Sequence, residues 1–138
     1  MDMKFELVVL PVSDVDRAKE FYAERLGFAV DVDHQASESF RVVQLTPPGS
    51  ACSIAIGVGI TDAEPGSVRG LHLVVTDIVT ARDELVARGA DIAPIRHMGP
   101  SGWQDGPHPE RADYNSFAEL RDPDGNTWLL QERDHRGT

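Results

Sequence analysis

The sequence predicts an α+β fold built from two βαβββ modules, and three observations predict it. An apolar run ending in a small hydroxyl residue, Asp and a β-branched residue occurs twice, with Asp14 and Asp77 63 residues apart. Each copy is followed by apolar residues at helical spacing. Each helix is followed in turn by three short segments of strand character. A two-copy repeat of this kind signals a duplicated unit.

The strands that open the copies are Leu7-Val8-Val9-Leu10 and Leu71-His72-Leu73-Val74-Val75, short and rich in Val and Leu. In the first helix Val15, Ala18, Phe21, Tyr22 and Leu26 form the apolar stripe. Ser13 with Asp16 reads as a capping box, and Gly27 as the stop. In the second helix Ile78, Ala81, Leu85 and Val86 form the stripe, Asp77 reads as N-cap and Gly89 as stop. Strands are expected at 28–32, 40–45 and 53–56, then at 90–95, 116–120 and 127–131. Asp122-Pro123-Asp124-Gly125 is a turn joining the last two. The chain thus divides into a first module at 4–57, a linker at 58–68, a second module at 69–132 and a tail at 133–138, all in one domain of 138 residues. The stretch 97–114, rich in Gly and Pro and without periodicity, is expected to be a long loop of the kind that forms lids or binding segments.

Composition narrows the function. Thirteen basic and 23 acidic side chains leave a formal charge of −10, which argues against a nucleic-acid partner and an anionic membrane surface. A cationic ligand is compatible with that charge, although a solvated acidic surface explains it equally. The single cysteine, Cys52, excludes an intrachain disulfide and argues against a Cys-based zinc site. No stretch nears the ~20 apolar residues of a membrane span, and the first residues lack a signal-peptide core, so a cytoplasmic protein is expected.

Several local motifs, in order, resemble the vicinal oxygen chelate superfamily, which includes glyoxalase I, extradiol dioxygenases and bleomycin resistance proteins. They are Val12-Ser13-Asp14, Asp16-Arg17-Ala18, Phe21-Tyr22, Leu26-Gly27-Phe28, Gly70-Leu71-His72-Leu73-Val74-Val75, Ala87-Arg88-Gly89-Ala90, Asp122-Pro123-Asp124-Gly125-Asn126 and Leu129-Leu130-Gln131-Glu132. The resemblance covers nearly the whole chain and implies the glyoxalase/bleomycin resistance/dioxygenase fold, with curved mixed sheets around a cavity and helices outside. It also implies a homodimer. Enzymes of the superfamily hold a divalent metal in that cavity, and by resemblance their ligand positions fall here on Leu7, Gly70 and Leu129, with a further one near Ile54. None of these can donate a lone pair to a cation. No metal or other cofactor is therefore expected, although a divalent metal at a displaced site stays open.

Period-two alternation places Leu7, Val9 and Pro11 on one face, with Gly70, His72 and Val74 matching them in the second copy. Thr127, Leu129 and Gln131 share a face of the last strand, while Trp128 and Leu130 take the other. The expected ligand-binding set is Leu7, Val9, His72, Trp103, Thr127, Leu129 and Gln131: apolar walls with a few orienting groups. His72 is the best candidate for a catalytic group, as a general base; it reads equally as a ligand contact or as a histidine bonded to a neighbour. Trp103 could stack on a ligand, or anchor the loop or a dimer contact. His97, His108, Glu110 and Asp113 cluster in sequence but match no zinc spacing.

The leading expectation is a small-molecule-binding protein that sequesters an apolar or cationic compound without metal, similar to bleomycin resistance proteins and hence tied to antibiotic resistance. Its rivals are a lyase, isomerase or dioxygenase with a displaced metal bound by His72 with Gln131, Glu119 or a loop histidine, and a protein-interaction domain with a filled cavity.

Overall fold

The computed structural model describes residues 1–136; the last two residues of the expected tail lie outside the described residues. The chain forms two compact units, one comprising residues 1–68 and 122–126, the other 69–121 and the segment from 127 onward.

In the first unit β1 (Leu7–Val9), β2 (Ala29–Ser37), β3 (Phe40–Thr46) and β4 (Ser53–Val58) form a sheet in the order β1-β4-β3-β2. β1 runs parallel to β4, and the other pairs are antiparallel. Helix α1 (Val15–Glu20) continues into a π-type turn at Phe21–Arg25 and ends at Gly27, whose φ of 75° a Cβ would oppose. Val15, Ala18, Phe21 and Tyr22 are buried against a core of Val43, Leu45, Ile54 and Ile56. Burying each of the Val, Leu, Ile and Phe side chains among them contributes about 1.5–3 kcal/mol.

The N-cap of α1 is Asp14, not Ser13: the Asp14 carboxylate accepts the Arg17 N–H at 3.1 Å. Ser13 is drawn away because its backbone N–H and hydroxyl both donate to Asp124. That contact explains why the Asp122–Asn126 turn belongs to this unit. The Tyr22 hydroxyl donates to Asp122 at 2.8 Å, and the Asn126 amide donates both to Asp122 and to the Pro11 carbonyl. Gly66 lets the chain close over the turn, since a Cβ there would lie 2.1 Å from the Asp124 carbonyl oxygen.

In the second unit β5 (Leu71–Val75), β6 (Asp91–Ile92), β7 (Arg96–Gly99), β8 (Gly102–Asp105), β9 (Phe117–Arg121) and β10 (Thr127–Glu132) form a sheet in the order β5-β10-β9-β7-β8, with β6 also paired to β9. β10 is parallel to β5 and antiparallel to β9. Helix α2 (Ile78–Ala87) is capped by Asp77, which accepts the Thr80 N–H at 3.1 Å. Ile78, Ile92, Ala118, Leu120, Trp128 and Leu130 make the core, so Trp128 lies on the helix side as its alternation predicts.

Three expected boundaries are corrected. The strand expected at 28–32 runs to Ser37, because pairing with β3 carries the polar Asp33-His34-Gln35 stretch along with it. The strand expected at 90–95 is broken into β6 and β7, because Pro94 has no N–H to give a ladder. The long loop expected at 97–114 contains most of the β7–β8 hairpin, in which Met98 pairs with Trp103. Two four-residue strands are too short to display a period. No helix among the described residues is long and apolar enough to cross a membrane.

Candidate functional site

Strand register defines one face of the second sheet. Leu129 lies beside His72 on one side and Glu119 on the other, and Gln131 beside Val74 and Phe117. Phe117 pairs with Arg96, and Arg96 with Asp105. Side chains directly opposite in a sheet share a face. His72, Val74, Thr127, Leu129, Gln131, Phe117, Glu119, Arg96 and Trp103 therefore project from the side opposite the α2-packed core. Here His72 is exposed, Val74 is 52% exposed and Trp103 48%, while Leu129 and Phe117 are half-buried.

The polar centre of this face is a short chain of hydrogen bonds. His72 Nδ1 lies 2.9 Å from Gln131 Oε1, and Gln131 Nε2 donates to the Tyr114 carbonyl at 3.1 Å. Gln131 is buried, at 8% exposure. The Thr127 hydroxyl accepts the Gly70 N–H at 3.1 Å, so it is committed to the sheet edge.

At the other end of the face Trp103 sits on β8, not in a loop. Its ring meets Phe117 edge-on at 5.6 Å between centroids, and the Arg96 guanidinium lies 4.1 Å from its centroid. Among the described residues that guanidinium makes no hydrogen bond or ion pair, so its donors stay available. A cavity of about 520 Å³ opens beside it, bordered by Pro94, Arg96, Asp105, Glu119 and Arg121. Neither Arg96 nor this cavity was expected from the sequence, since the hairpin that carries Arg96 was not visible there.

Leu7 and Val9 occupy the matching face of the first sheet and are 43% and 37% exposed. Leu7 pairs with Ser53 and Val9 with Ala55. Ile54, the position near which a further metal ligand was expected, is instead buried on the helix side, because it pairs with Val8 and Leu45.

The residues at the superfamily's metal positions do not fit a metal. Leu7 and Leu129 offer only hydrocarbon and Gly70 no side chain, so a cation would find no protein donors there. Some of the groups that a displaced site would need already hold hydrogen bonds, while Nε2 of the exposed His72 has no protein partner among the described residues. Glu119 accepts from Arg121 at 3.0 Å, His97 Nδ1 donates to the Gly106 carbonyl, and His108 Nδ1 accepts the Glu110 and Ala112 N–H groups.

One trio of ligand-type groups does converge among the described residues: Asp77, Glu132 and His135. A cation is already there. Arg111 grips both Glu132 oxygens, at 2.8 and 2.6 Å, and reaches Asp77 at 3.4 Å. Burial pushes the Glu132 carboxyl up, but Arg111 and the Ile78 N–H outweigh it and hold the group below its ordinary range. The trio is thus a structural ion pair that also satisfies an orphan N–H at the start of α2.

Residues 4–130 match the Glyoxalase/Bleomycin resistance protein/Dioxygenase superfamily. The chain belongs to that superfamily. The same conclusion comes from solved structures. TnmS3, an antibiotic binding protein from Streptomyces sp. CB03234, is 30% identical, with 95% of this chain and 96% of that one covered and a TM-score of 0.73. A superfamily member from Sphaerobacter thermophilus DSM 20745 is 28% identical, covering 96% and 98%, with a TM-score of 0.74. Among curated proteins, YetH of Bacillus subtilis (strain 168) is 22% identical over 125 residues, 91% of this chain and 94% of YetH.

Proposed function

We propose that this superfamily member binds a small molecule on the uncovered sheet face of its second unit, holds it without a metal ion and does not transform it. The observation that carries this reading is the pairing of two features. Hydrocarbon or hydrogen stands at every position where a metal ligand would be, and the surrounding face offers exposed apolar and aromatic surface with a few fixed polar groups. Such a mixture suits a ligand site, with area supplying affinity and the polar groups orientation. His72, Leu129, Gln131 and Trp103 are its contacts, and Thr127 shapes its edge. Leu7 and Val9 offer apolar contact surface on the first unit. The likeness to an antibiotic binding protein supports a toxic natural product as the kind of molecule sequestered.

Untargeted mass spectrometry of compounds released from the purified protein, run beside elemental analysis, tests the reading. The expected result is a stoichiometric organic compound and no stoichiometric metal. Nickel, zinc, iron or manganese bound one to one and lost in His72→Ala would overturn it. The exposed Leu7, Val9, Val30, Val32 and Phe40 side chains also favour pairing of two copies, which sedimentation would show as a dimer and which a monomer would refute.

A further inference from the structure

The arrangement around Gln131 says which chemistry the ligand brings, an inference that rests on the proposed binding role and sharpens it. A backbone carbonyl can only accept a hydrogen bond. The Gln131 amide atom 3.1 Å from the Tyr114 carbonyl must therefore be the nitrogen, and the atom facing His72 must be the oxygen. An amide oxygen also only accepts, so the His72 nitrogen 2.9 Å away must carry a hydrogen. In a neutral imidazole one nitrogen alone is protonated, and Nε2 is left with its lone pair.

The relay that enforces this is rigid. Gln131 is buried, and Tyr114 is pinned by its own N–H, which donates to the Glu132 carbonyl at 2.8 Å. Tyr114 holds its carbonyl in place from a left-handed backbone conformation, φ 62°, that a residue with a side chain keeps only when its surroundings enforce it. His72 itself is exposed, so its acceptor belongs to whatever lies on the face.

We propose that His72 Nε2 selects a ligand by its hydroxyl donor, that the ligand is a phenol, and that Gln131 is the positioning residue. The neighbours argue for an aromatic body. Leu129 is one strand from His72, and Phe117 lies two strands away on the diagonal, next along the strand from Glu119 on the same face, with its ring against Trp103. Two strand spacings are roughly 10 Å, close to the length of two fused rings with a hydroxyl. An aliphatic alcohol would satisfy His72 but leave the Leu129–Phe117 strip uncovered.

Long-range ¹⁵N–¹H spectra of the full chain, with the His72 signals assigned by their loss in His72→Phe, read the tautomer without any ligand. At a pH where the ring is neutral, Nδ1 is expected protonated and Nε2 bare. Gln131→Met should shift the ring toward the opposite tautomer. Nε2–H in the unmodified protein would overturn the assignment. Calorimetric titration with 2-naphthol and 2-methoxynaphthalene then tests selection, since the two differ in little but the donor. The naphthol should bind about 3- to 10-fold more tightly, the effect of one hydrogen bond, with the preference falling below about twofold in His72→Phe. Equal affinities would refute the donor requirement while leaving small-molecule binding in place. No binding of 2-naphthol would refute the phenol assignment, and the search for co-purifying compounds would still judge the binding role separately.

Discussion

The two units are copies of one plan, and they differ most where chemistry is possible. Val9 in the first unit occupies the place of His72 in the second, 63 residues on. Val9 pairs with Ala55 and His72 with Leu129, so Ala55 and Leu129 correspond, and two residues further Gly57 corresponds to Gln131. A side chain at Gly57 is excluded, because a Cβ there would lie 2.0 Å from the Arg41 carbonyl oxygen. The first copy therefore cannot build the histidine–glutamine pair in its present form. Its face sets Leu7 and Val9 beside Ser53, Ala55 and Gln44, while the second carries His72, Gln131, Arg96 and Trp103. The duplicated strands thus carry Val9 and Gly57 in one copy where the other carries His72 and Gln131.

The units also start their helices differently. Both use an aspartate cap, Asp14 or Asp77. Only the second adds a buried carboxylate, Glu132, which accepts the Ile78 N–H at 2.9 Å and binds Arg111. The largest expected effect follows from this asymmetry. Glu132→Gln leaves half-buried Arg111 with only its longer contact to Asp77 and should cost about 3 kcal/mol of stability in urea titration. Asp14→Ala should cost only about 1 kcal/mol, the usual loss of a cap. Equal costs would erase the distinction. The pH dependence has a definite sign. Glu132 is held below its ordinary value of about 4.5, so its contribution is complete above that pH and is lost as pH falls through the lower folded value. Acid titration followed by circular dichroism should show a shallower loss of stability below about pH 4 in Glu132→Gln than in the unmodified protein.

A smaller effect is expected at the turn that the first unit borrows from late in the chain. Tyr22→Phe removes the hydroxyl bonded to buried Asp122 and should cost about 1–2 kcal/mol, measured by thermal unfolding. Smaller still is the effect of making the second unit resemble the first. His72→Val lies on an exposed face and should change stability by no more than about 0.5 kcal/mol while removing the naphthol preference. A loss above about 2 kcal/mol would mean that His72 holds the fold and not a ligand. The last difference is optical. Trp103 is 48% exposed and Trp128 4%, so acrylamide quenching should be prominent in the unmodified protein and slight in Trp103→Phe. Strong quenching of the Trp128 that remains would contradict the assigned faces.

Much of this was legible in the sequence because it follows from local rules. The repeat, the helical spacing of Val15, Ala18 and Tyr22, the stop at Gly27 and the Asp122-Pro123-Asp124-Gly125 turn each depend on residues close together in the chain. Alternation along single strands was equally readable, and it placed His72, Leu129 and Gln131 on one side and Trp128 on the other. The absence of lone pairs at Leu7, Gly70 and Leu129 needed only residue identity, once the resemblance had supplied the positions. Partners distant in sequence were beyond such rules. Ser13 fits a capping box locally, yet Asp124, 111 residues away, claims its donors and leaves the cap to Asp14. The β7–β8 hairpin that presents Arg96 and Trp103 together is specified by cross-strand pairing too short to leave a period. The tautomer of His72 depends on Tyr114 and Gln131, which only folding brings together. Periodicity and residue chemistry travel with the chain itself, whereas the partner of a hydrogen bond is chosen by packing, and so the tertiary structure alone decided which polar groups remain free to meet a ligand.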